Sequence, residues 1–215
     1  MSRSIVTSWG GVVVIDVSNP TLPVEVGSVA GGRSGHLSVF GDYLYRVMAS
    51  YFPYGDPSLG VFEKSSPESP EYMGGLSVPE AGPVAATEGH AYVVSGDEVL
   101  VVDVSDPYNP TPAGALTFGT DGEVRDVAAA EDHAYVLFDS VVNDEDGLYV
   151  FDVTDPWLPN EMGCFLGEWE RLSHVAFDTR GYAYVTSWGS GHGSHPPGSS
   201  LVVVDVADPE PVSYT

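Results

Sequence analysis

The chain is short of positive charge, of cysteine and of long apolar runs, and each shortage excludes something. Only 7 of its 215 residues are Lys or Arg, against 31 Asp or Glu, a formal net charge of −24. Lys64 is the one lysine. A surface this acidic repels a phosphate backbone, so nucleic acid is excluded as a partner. Anionic lipid is disfavoured for the same reason. Cys164 is the single cysteine, so no disulfide forms within the chain and a disulfide-stapled module is excluded. In the run Gly163-Cys164-Phe165-Leu166 it reads as a small buried hydrophobe, with no His or Asn context marking a nucleophile. No apolar stretch approaches the roughly 20 residues that span a bilayer, so no membrane insertion is expected. Met1-Ser2-Arg3-Ser4 leads into strand-like sequence without the apolar segment of a signal peptide. An exported protein would carry its targeting segment outside this chain.

What is present is apolar enough to fold. Hydrophobic residues make up 43% and aromatics 11%, too much for a disordered chain. The 25 Gly and 17 Pro lie between short apolar runs, as in many short strands joined by turns. The carboxylates are spread along the whole chain. That pattern fits a high-salt habitat, where screening removes self-repulsion, better than a dedicated cation-binding face.

A repeat emerges when the proline-ended turns are aligned. Val12-Val13-Val14-Ile15-Asp16-Val17-Ser18-Asn19-Pro20 opens the series. Leu100-Val101-Val102-Asp103-Val104-Ser105-Asp106-Pro107 and Leu148-Tyr149-Val150-Phe151-Asp152-Val153-Thr154-Asp155-Pro156 follow. Leu201-Val202-Val203-Val204-Asp205-Val206-Ala207-Asp208-Pro209 is the last copy, and Leu59 to Pro67 is a degraded one. The closing prolines are 40 to 53 residues apart, the spacing of propeller blades. Three further phrases share the rhythm. One is rich in small residues (Val84-Ala85-Ala86, Val127-Ala128-Ala129, Val175-Ala176-Phe177). One reads Ala91-Tyr92-Val93-Val94, Ala134-Tyr135-Val136-Leu137 and Ala183-Tyr184-Val185-Thr186, with Ile5-Val6-Thr7-Ser8 in its place at the start. One runs from Pro to Gly after the turn: Pro23 to Gly27, Pro70 to Gly74, Pro112 to Gly114 and Pro159 to Gly163. Each unit therefore has four short strands. Residues 1–215 read as one array of five units, at about 5–35, 36–81, 82–122, 123–172 and 173–215.

The apolar strand before each Asp does not alternate, which is expected when both faces are buried. In a propeller the neighbouring blades would cover it on each side. The small-residue strand suits the crowded centre, and the polar, proline-led strand suits an outer edge. Asn19, Asp106, Asp155 and Asp208 before Pro are Asx-turn starters. Asp16, Asp103, Asp152, Asp205 and Glu63 recur too regularly for a one-site catalyst and read as turn-stabilising acceptors.

Leu-Val-Val-Asp-Val-Ser-Asp-Pro followed by Gly, Val-Ala and Ala-Tyr-Val resembles the LVIVD repeat, and is similar to YVTN-type propeller repeats. The resemblance runs over nearly the whole chain and is best in units one, three, four and five. Unit two departs: Glu63-Lys64 replaces Asp-Val and an insertion precedes it. The resemblance implies an all-β propeller of about five blades, often on exported or cell-surface proteins, and implies no reaction. In blade order the first unit lacks its innermost strand. The expectation is therefore that the chain is part of a larger ring.

The candidate sites lie in loops. The insertion bearing Tyr51, Phe52 and Tyr54 is aromatic-rich, and aromatic loops stack on sugars or anchor proteins. The longest loop carries His192 and His195, a weak transition-metal pair that His174 would complete. Trp188 and Trp9 sit in matching Thr-Ser-Trp-Gly segments. Together Tyr51, Phe52, Tyr54, Trp188, His192 and His195 are the expected ligand or partner residues. Asn143, Asp144 and Asp146, with Asp139 nearby, offer a calcium loop, although not of EF-hand spacing. No other cofactor is expected. Ser187-Trp188-Gly189-Ser190-Gly191 is no nucleophile elbow, because no helix follows. The reading is a non-catalytic interaction module, exported or at the cell surface, with a protein or glycan partner on one rim. The alternative is a propeller hydrolase or lyase with a metal or carboxylate site at the central channel.

Overall fold

In this computed structural model the described residues are 3–8, 11–30, 34–48, 58–66, 68–119, 121–130, 132–141, 146–166, 172–178, 180–189 and 198–206. Among them lie eighteen strands and no helix. They form five antiparallel sheets in which sequence neighbours pair, the blades expected from the repeat. Blade one is β1 (Arg3–Ser8), β2 (Gly11–Asp16) and β3 (Val24–Ala30). Blade two is β4 (Ser34–Phe40), β5 (Tyr43–Met48), β6 (Ser58–Glu63) and β7 (Glu71–Ser77). Blade three is β8 (Ala81–Thr87), β9 (His90–Ser95), β10 (Glu98–Asp103) and β11 (Thr111–Leu116). Blade four is β12 (Gly122–Ala130), β13 (His133–Ser140), β14 (Gly147–Asp152) and β15 (Asn160–Leu166). Blade five is β16 (Leu172–Phe177), β17 (Tyr182–Gly189) and β18 (Gly198–Asp205). Tight links close the hairpins. Gly89 and Gly96 take φ of 75° and 65° there, a conformation glycine adopts without a Cβ penalty.

The chain groups into two compact units, Met1–Ser95 with Val102–Pro112, and Gly96–Val101 with Ala113–Thr215. Within the first, blade one packs on blade two. Val12 of β2, Leu44 of β5 and Phe62 of β6 are buried together, with Ile5, Val29 and Leu37 against them. Arg46 of β5 is an exception to the apolar pattern, 1% exposed, and burial lowers the pKa of its guanidinium.

Within the second unit, blade five lies on blade four. Ala128, Tyr135, Leu137, Leu148 and Val150 of blade four meet Leu172, Val175, Ala183, Val185 and Val204 of blade five. Strand register puts the first five on one face of their sheet. Tyr135 stacks on Phe177 of β16 at 5.5 Å. The opposite face of blade four carries Phe138, Tyr149 and Phe151, and Phe118 lies against all three rings.

The same join is repeated by glycine. A Cβ on Gly74 of β7 would stand 2.5 Å from the carbonyl oxygen of Tyr108. A Cβ on Gly114 of β11 would collide with the carbonyl oxygen of Pro156. The recurring Gly of the outer strand is thus required by the proline corner of the following repeat, which presses its backbone there.

The expectation of double-sided burial holds in the middle blades and fails at one end. In β14 Leu148, Tyr149, Val150 and Phe151 are all buried, and β6 is similar. In β18 Leu201 and Val203 are 64% and 54% exposed. The apolar residues of β18 therefore alternate, with Val204 of the face packed on blade four buried.

Candidate interaction surface

The acids of the repeat turn are committed to the backbone. Asp16 Oδ1 accepts the N–H of Ser18 at 2.8 Å and its hydroxyl at 2.6 Å. Asp103 does the same for Ser105, at 2.9 and 2.6 Å, and Asp152 for Thr154, at 2.9 and 2.7 Å. These bonds hold the carboxyls of Asp103 and Asp152 below the usual carboxylate range, because they favour the charged form. The residue before proline builds a second turn. Asn19, Asp106 and Asp155 accept the N–H groups of Thr21, Tyr108 and Trp157 at 3.2, 3.1 and 3.1 Å. Their own carbonyls accept Leu22, Asn109 and Leu158 N–H at 3.0 to 3.1 Å. The turn-acceptor reading of these acids is what the geometry displays.

Two stacked turns make a stiff corner, and its tip points large side chains outward. Tyr108 is 70% exposed, Trp157 60%, Leu158 77% and Leu22 66%. They fall on two successive repeat positions, Tyr108 and Trp157 directly after the proline and Leu22 and Leu158 one residue later. Exposed aromatic and leucine side chains on a rigid corner offer contact area at low ordering cost. Sequence reasoning missed this position. The signal was a recurring apolar residue between the two prolines, in a segment otherwise read only as a turn.

Asp126 sits at a bulge of β12. It accepts the N–H of Val127 and, from the next blade, the N–H of Val175, both at 2.9 Å. His174 of β16 is exposed, with Ser173 Oγ 2.8 Å from its Nδ1. Asp178 lies in the β16–β17 turn. Partial burial would raise its pKa, but bonds from Arg180, Tyr184 and Tyr182 prevail and bring it down to about 2.

Of the residues expected from sequence, Trp188 lies on β17, 52% exposed, opposite Ser199. Asp139 of β13 is bound to Arg125 Nε at 2.6 Å, and Arg125 also reaches Glu123 at 2.8 Å. Asp146 Oδ1 accepts the N–H of Ser140 at 2.7 Å. Tyr51, Phe52, Tyr54, Asn143, Asp144, His192, His195 and Trp9 fall outside the described residues. Among the described residues no three of His, Cys, Asp and Glu gather as metal ligands. Cys164 is half-buried in β15 rather than enclosed.

The fold is shared with solved structures of low sequence identity. A functionally unknown protein from Desulfotomaculum acetoxidans superposes with a TM-score of 0.69 at 12% identity, over 94% of this chain and 65% of that one. A candidate 6-phosphogluconolactonase from Bacteroides fragilis gives 0.65 at 13%, over 93% and 66%. The periplasmic gluconolactonase of Pseudomonas aeruginosa gives 0.61 at 14%, over 95% and 70%. The chain thus spans just under two thirds of the length of the first two. No curated protein matches it. The model of the LVIVD repeat matches residues 5–30, 80–117 and 121–166, which are units one, three and four; it leaves out the degraded second unit and also the fifth, which the sequence pattern groups with the good copies. These matches cover just over half of the chain, and it belongs to the LVIVD repeat family.

Proposed function

We propose that this chain is a non-catalytic interaction module that holds a protein or glycan partner, working outside the cell or at its surface. The observation that carries this reading is the presentation of Tyr108, Trp157 and Leu158 on corners stiffened by paired side-chain turns. A surface aromatic on a preordered turn binds without first losing loop entropy. The recurring turn carboxylates are engaged by local backbone and hydroxyl donors, which supports a structural role for them. Export fits a family in which such repeats are common on surface proteins.

The test is direct binding to a glycan array and to purified cell-surface proteins, with the triple variant Tyr108→Ala, Trp157→Ala, Leu158→Ala beside the wild type. The expected result is a ligand whose affinity falls at least tenfold in a variant that melts normally. Equal binding by both proteins overturns the corner as the site.

A second reading is a hydrolase acting on a lactone, favoured by the likeness to two proteins described as gluconolactonases. In this chain Asp126 and His174 come from adjacent inner strands. Turnover of gluconolactone that disappears in Asp126→Asn and His174→Gln would establish it, and absence of turnover would leave the interaction reading in place.

A further inference from the structure

The corner that joins β14 to β15 has an apolar tip on a charged base. Trp157 is 60% and Leu158 77% exposed at the tip. Asp152 and Asp155 build the turns beneath, and Glu161 follows on β15, exposed like Asp155. No Lys or Arg occurs in the sequence between Arg125 and Arg171, so the chain supplies no local counter-charge. Repeats lie on both sides of this corner in the sequence. Pro156 is buried, with its carbonyl oxygen close against Gly114 of β11, so the tip stands on backbone that is already packed.

The turn bonds fix the carboxylates without using them up. Asp152 and Asp155 accept through Oδ1, from Thr154 and from Trp157. No hydrogen bond among the described residues takes up either Oδ2. The bonds from Thr154 also favour the ionised form of Asp152. The blade-three corner is built alike, with Tyr108 70% exposed beside the turn acids Asp103 and Asp106.

We propose that the β14–β15 corner takes a protein partner through a segment in which an apolar side chain is flanked by Lys or Arg. This rests on the corner being the binding surface, and it names the occupant. The partner's apolar side chain buries Leu158, while its cations meet the indole of Trp157 and the carboxylates of Asp155 and Glu161. Charge complementarity favours this occupant over a glycan: a neutral sugar gains little from carboxylates, and an acidic one is repelled. Leucine also lacks the flat face on which a sugar ring stacks. A chain of charge −24 draws a basic segment in from a distance, and the turns hold the tip in place before it arrives.

The probes are three sets of short peptides on one array: Leu or Phe flanked by Lys and Arg, the same residues flanked by Glu, and Ser flanked by Lys and Arg. The full chain is expected to bind the first set alone, less tightly in 1 M than in 0.1 M NaCl. Trp157→Ala with Leu158→Ala should weaken that binding at least tenfold. Asp155→Asn keeps the turn, since Asn19 builds the same one in blade one, and removes only the charge. It should melt as the wild type does and bind about threefold more weakly in 0.1 M NaCl, with a smaller difference in 1 M. Equal binding to basic and acidic sets overturns the proposal, as does equal binding to the Leu/Phe and Ser basic sets, or none to any peptide. A glycan bound through Trp157 and Leu158, with no peptide bound, would overturn it while leaving the corner as the binding surface.

Discussion

Tyr135 and Tyr184 hold the same place in successive blades, and their surroundings differ in almost every respect. Tyr135 is 7% exposed, stacked on Phe177 of the next sheet, and burial raises the pKa of its phenol. Tyr184 is half-buried and donates its hydroxyl to Asp178 Oδ2 at 3.0 Å, within reach of Arg180. Leu148 and Leu201 repeat the contrast, at 0% and 64% exposure. One repeat sequence yields an interior in blade four and a surface in blade five. Neither local propensity nor the apolar pattern separates the two, so the burial of a repeat residue belongs to the stack rather than to the blade.

The largest test of that contrast is a matched pair. Leu148→Ala should lose about 2–5 kcal/mol in urea unfolding, since a closed cavity results. Leu201→Ala in dilute solution should change stability by less than about 0.5 kcal/mol. Equal losses would mean that blade five is covered in the free chain. The glycine join comes next. Gly114→Ala pushes a Cβ into the Pro156 carbonyl of the next blade and should cost about 1–3 kcal/mol. Gly119→Ala, with nothing within 4 Å of the added carbon, should be close to neutral. Asp126→Ala, which strands the N–H of Val175, should cost about 1–3 kcal/mol, with faster amide exchange at Val175 as the specific sign.

The smallest effect is on pH. The carboxyl of Asp178 sits at about 2 in the fold. A lowered folded-state pKa adds stability above the ordinary carboxylate value, near 3.9, and that stability is lost as pH falls towards and through 2. Asp178→Asn should therefore melt lower than wild type at pH 5 and converge with it by pH 2. Melts run in high salt keep the net charge from dominating. Parallel curves would show that the Asp178–Arg180–Tyr184 cluster is absent in solution.

The proline corners were legible at the level of single residues. Asp16, Asp103 and Asp152 read as turn acceptors because an acid recurs at that place in every copy, too regularly for a one-site catalyst, and can bond the local backbone. The glycine after each corner was visible as a recurrence, but its reason lay in another repeat, at the Tyr108 and Pro156 carbonyls. Tyr108, Trp157 and Leu158 went unread because a turn tip tolerates any side chain and residue type does not encode exposure.

By itself the sequence determined that the chain is all-β, where the apolar strands and the proline corners fall, and that five similar blades follow one another. Those properties come from short-range rules: apolar runs, Asx-Pro corners and glycine hairpins. Only the tertiary structure decided which valines and leucines are interior. Burial depends on whether another sheet lies within van der Waals reach, and positions as alike as Leu148 and Leu201 carry no record of their neighbours.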